Sequence, residues 1–185
     1  MKEGRFIVGF VITVLIGLGI CFSLLIFYTN KHSKGFKTLG KLVEFTYRPG
    51  YSDMEGGYHS ETLKRGDDGR WIIECRDRET HSDPTIVTTY QVGTDSETYF
   101  EGFIKEENIP EYENRKESDD FVTDYSPWSY HMVFEKDTGS GTEIQEFTIN
   151  EFREYSDDEY TNIKKMNSLF KCLKNTKLSE VVEDD

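Results

Sequence analysis

At 185 residues, with a net charge of −13 and a pI near 4.8, the chain has room for one ordinary domain and a short extra element. Six of the 22 Lys and Arg and one of the 35 acids lie at or before Lys41, which leaves 16 cations against 34 anions and a net charge of −18 from residue 42 onward. Such a surface repels phosphates, so nucleic acid and anionic lipid are excluded as ligands of the domain.

Residues 1–5 form a short basic tail with Lys2 and Arg5, and Phe6 to Tyr28 follows as twenty-three residues without a charge. As a helix that run reaches about 34 Å, enough to span a bilayer at residues 6–28. It is longer than a signal-peptide core and has no A-x-A-like exit, so an uncleaved signal anchor is expected. Gly9, Thr13, Gly17 and Cys21 recur every fourth residue, a seam along which two such helices could self-associate. The short basic tail places the domain outside the cytoplasm, although Lys31, Lys34, Lys37 and Lys41 after the span argue the other way. The expected location is the cell membrane, single-pass.

Residues 29–41 read as a basic juxtamembrane linker, and 42–176 as the folded domain. Lys41 to Arg48 alternates with Val43, Phe45 and Tyr47 on one face, a half-buried strand. Tyr58 to Arg65 is a second, weaker strand. Gly66-Asp67-Asp68-Gly69 is a turn, across which Trp71, Ile73 and Cys75 alternate, so a hairpin is expected. Thr85 to Val92 is a further strand. Thr94 and Glu97 have capping-box spacing before a short helix that ends ahead of Pro110.

The acid-rich stretch Glu111 to Asp124 reads as a mobile loop, and Ser129–Lys136 with Thr142–Asn150 as a second hairpin. Ser156 and Glu159 form a second capping box, followed by an apolar stripe through Tyr160, Ile163, Met166, Leu169, Phe170 and Leu173. Residues 177–185 read as an acidic, frayed tail. Strands and helices without β-α-β alternation predict an α+β domain: an antiparallel sheet carrying a short internal helix and a C-terminal amphipathic helix, after one transmembrane helix.

Catalytic signatures are absent: no G-x-S-x-G, H-E-x-x-H, C-x-x-C or phosphate-cradling glycine loop occurs. Cys75, Asp77, Glu79, His81 and Asp83 alternate, but residues about 7 Å apart along one strand do not close a compact metal site. His59, His81 and His131 each have a carboxylate nearby in sequence and could serve a general base only if the fold converged them. Cys75 and Cys172 are the one pair available for a disulfide outside the apolar run. No residue is therefore assigned as catalytic, cofactor-binding or metal-binding, and no cofactor is expected. The expected function is a binding, sensing or envelope-assembly module with an unidentified protein partner. The alternative is a membrane-tethered hydrolase or metal-dependent enzyme using His and carboxylate side chains of the sheet.

Overall fold

The computed structural model describes residues 38–50, 57–118 and 126–183. Seven strands form one antiparallel sheet: β1 (Lys41–Arg48), β2 (Tyr58–Arg65), β3 (Trp71–Arg78), β4 (Thr85–Val92), β5 (Ser129–Asp137), β6 (Thr142–Asn150) and β7 (Lys174–Glu183). Their spatial order is β6-β5-β1-β2-β3-β4-β7. Two α-helices, α1 (Ser96–Glu106) and α2 (Asp157–Cys172), and a 3-10 helix at Ile109–Asn114 complete the described elements.

Alternation along the strands sorts the two faces. Phe45, Leu63, Ile73 and Met132 lie in register across four strands and are fully buried. Over them α1 buries Phe100, Phe103 and Ile104, and α2 buries Ile163, Met166 and Phe170. Phe45 is the hub, its ring 4.9 Å from Phe100 edge-on, 4.8 Å from Phe170 and 5.7 Å from Tyr130. The opposite face is polar: Thr46 meets Thr62 at 3.0 Å, Lys64 donates to Glu74 at 2.8 Å, and Arg76 donates to Glu74 at 3.1 Å. The hairpin between β2 and β3 turns on Gly69, whose φ of 78° suits a residue without a Cβ.

Several expectations are corrected. The first strand does not alternate simply: a bulge between Leu42 and Glu44 turns Leu42, instead of Val43, into the core. The capping box at Thr94 does not form, and α1 starts after Asp95 in a left-handed conformation with no side-chain cap. The one at Ser156 does: its hydroxyl accepts from Glu159 N–H at 3.3 Å, and the Glu159 carboxylate accepts from Ser156 N–H at 2.9 Å. Part of the expected mobile loop is instead the 3-10 helix, anchored by buried Ile109, Pro110 and Tyr112; residues 119–125 lie outside the described residues.

The fold class itself needs correction at its C-terminus. Residues 177–183, expected to belong to a frayed tail, are instead part of the ten-residue strand β7, which pairs with β4 from Lys174↔Val92 to Glu183↔Thr85. The molecule is mostly a seven-stranded sheet, because Leu178, Val181 and Val182 and the backbone pairing with β4 outweigh the acidic composition. The expected single-pass, cell-membrane protein is corrected as well. Among the described residues no helix is long and apolar enough to cross a membrane. The longest, α2, has 16 residues and confines its buried side chains to one stripe. Residues 6–28 and the Gly9, Thr13, Gly17 and Cys21 seam lie outside the described residues.

Candidate functional site

The registers of β2 and β3 bring four polar side chains onto the inner face. His59 stands opposite Asp77 and Glu61 opposite Cys75, all on the same side as buried Leu63 and Ile73. His59 Nδ1 meets Asp77 Oδ1, and His59 Nε2 meets Glu61 Oε1 at 2.9 Å. Lys174, the first residue of β7, passes over the Tyr90 ring and places Nζ 2.8 Å from Glu61 Oε2. The result is a chain of alternating charge, Asp77, His59, Glu61 and Lys174, that fastens β2 to β3 and to the edge strand.

Glu61 is only 6% exposed, so its charge depends on these partners. Burial pushes its carboxyl up, but the hydrogen bonds from His59 and Lys174 outweigh it and hold the pKa below the usual value. His59 is shifted up, first by its hydrogen bond to Glu61, against burial, with Asp77 adding to the rise. A carboxylate on each ring nitrogen favours the imidazolium, the form in which both nitrogens donate. Burial lowers Lys174, and Glu61 more than restores it. Burial raises the Cys75 thiol and keeps it protonated.

Past Glu61 the inner face opens to solvent. His59 and Asp77 line a cleft of about 660 Å³ together with Pro49, Tyr58, Pro84 and Ile86. Each ring nitrogen of His59 is engaged by a carboxylate, so in the imidazolium form the ring has no lone pair with which to take a proton.

Of the three histidines weighed from sequence, only His59 meets carboxylates in a cleft. His81 sits exposed in the turn between β3 and β4. His131 lies on the polar face, with Nδ1 3.1 Å from Thr148 Oγ1. The alternating run from Cys75 to Asp83 does not stay on one strand: β3 ends at Arg78, and Thr80 turns back to donate to Asp83 at 2.7 Å. Among the described residues no group of three or more His, Cys, Asp or Glu could hold a metal ion. Cys75 and Cys172 are both free thiols, one buried and one exposed. Sequence reading missed Glu61 and Lys174. The usable signal was Glu61 at an inward position, two residues from both His59 and Leu63.

Comparison with models of known families, with curated proteins and with solved structures finds no match.

The array sets a pH dependence. Because His59 is raised in the folded state, its contribution is whole below its ordinary pKa of 6.5 and is lost as pH rises through the folded value. Glu61 is depressed, so its contribution is present above 4.5 and is lost as pH falls through the folded value. Urea unfolding from pH 6 to 9 is expected to show a decline in stability that His59→Gln lacks. Identical pH profiles for the two proteins would contradict this.

Proposed function

We propose that this chain is a binding module that docks an extended protein segment along the free edge of β7. One observation carries the reading. β7 is ten residues long and pairs with β4 on one side; among the described residues no strand lies on the other. Leu178, Val181 and Val182 on this strand are 50%, 53% and 58% exposed. An open edge offers unpaired N–H and C=O groups, and addition of a strand satisfies them while covering the apolar side chains.

The other edge of the sheet is treated differently. Beside β6 the 3-10 helix supplies Glu113, whose carboxylate accepts from Thr148 N–H at 3.0 Å. Engagement of the β6 edge at Thr148, with no strand described beside the longer β7, favours β7 as the docking side. The acidic surface favours a protein over a nucleic acid as the partner. A hydrolase built on His59 is the weaker reading, since both of its ring nitrogens are engaged. A photo-crosslinking residue at Ser179 is expected to give protein adducts in cells, and one at Ile144 on β6 is not. Equal yields, or none at Ser179, would remove the reading.

A further inference from the structure

Building on that edge, we propose that the docked segment is β7 of a second copy, paired antiparallel about a two-fold axis between Leu178 and Ser179. In this register Lys177 of each copy faces Glu180 of the other, and Thr176 faces Val181.

Three observations support it. The domain carries a net charge of −18 from residue 42, yet β7 from Lys174 to Glu183 contains two lysines and two glutamates and is neutral. It is therefore a strip along which two such acidic bodies can meet without like charges in contact. Lys174 and Glu183 are held within the copy by Glu61 and Arg76, and of the two remaining charges the lysine, Lys177, precedes the glutamate, Glu180. An antiparallel copy of the strand is then its own electrostatic complement, as an isologous interface requires.

The third observation concerns register. In an unbroken strand, residues of odd and even number point to opposite faces, so Lys177 and Glu180 could not sit opposite each other across a two-fold axis. Here Tyr90 pairs with Lys177 and Thr88 with Glu180, because a bulge interrupts the ladder between Thr89 and Tyr90. The extra residue shifts the alternation and puts Lys177 and Glu180 on one face with the same edge orientation. Their side chains already meet at 2.6 Å within one copy and are about half exposed, which leaves them within reach of a second pair.

The test uses the full chain carrying two different affinity tags, co-expressed and purified on one tag. The wild-type copies are expected to co-purify. Lys177→Glu paired with itself, and Glu180→Lys paired with itself, are each expected to lose about tenfold or more, since the symmetry places two like-charge contacts in each interface. Lys177→Glu mixed with Glu180→Lys restores opposite charges at both contacts and is expected to recover to within about twofold of wild type. Only an intermolecular pairing in this register gives that recovery. Both sites are about half exposed, so the circular dichroism spectrum of each variant should match the wild type and show that the fold persists.

Wild-type copies that fail to co-purify, single variants that still self-associate, or a mixture that does not recover would each overturn the proposal. Crosslinks from Ser179 to a different protein, with no self-association, would leave the docking edge standing and remove only the second copy as its occupant.

Discussion

Glu61→Gln is expected to lower the free energy of unfolding by about 3 kcal/mol near neutral pH, as in other cases where one member of a buried charge array is removed. The side chain keeps its shape, so little packing is lost. What is lost is the one anion between His59 and Lys174, which leaves two cations facing a neutral amide on the inner face of the sheet. A thermodynamic cycle separates this from a general cost of substitution. Lys174→Met alone strands Glu61 without its ammonium partner, whereas Glu61→Gln with Lys174→Met removes both ends of that contact. The double variant is expected to be more stable than the sum of the singles implies, with a coupling of about 1–3 kcal/mol. Additive losses in urea melts would show that the two side chains do not act as a pair.

The second large effect is expected at the centre of the core. Phe45→Ala should cost about 4 kcal/mol, because the fully buried ring touches both helices and the neighbouring strand. The loss should appear as a lower urea midpoint with an unchanged slope. A change below about 1 kcal/mol would mean that the helices do not close over β1 as described.

Most local features are legible in the sequence, the Thr94 capping box excepted. The turn at Gly66–Gly69 stands between two segments of matched length, and the capping box at Ser156 lies before a stripe of regular helical spacing; both signals act within a few residues. Features that depend on distant partners were not legible. Leu42 reaches the core through a bulge whose register is set by β5, about ninety residues later. The charge of the C-terminal segment suggests a tail, but its fate is decided by β4, which offers a free edge, and by Arg76, whose guanidinium holds Glu183 at 2.9 Å. The apolar content of Leu178, Val181 and Val182 was present all along, and an acidic tail usually has none.

The site shows the same division. His59 and Asp77 could each be named as polar residues on strands, but pairing them requires the β2–β3 register. Lys174 lies 113 positions from Glu61 in the chain, and no periodicity links the two. The polar array and the edge strand are one construction, since Lys174 starts β7 and is also the array's last charge.

Backbone amide exchange along Ser179–Glu183, resolved residue by residue in the Lys177→Glu variant to suppress pairing between copies, is the most direct measurement. Alternate amides, those directed at β4, should be slow, and those directed at the free edge fast. Uniformly fast exchange from Lys174 onward would mean that the C-terminus is an unpaired tail and that the sheet presents no such edge to a partner.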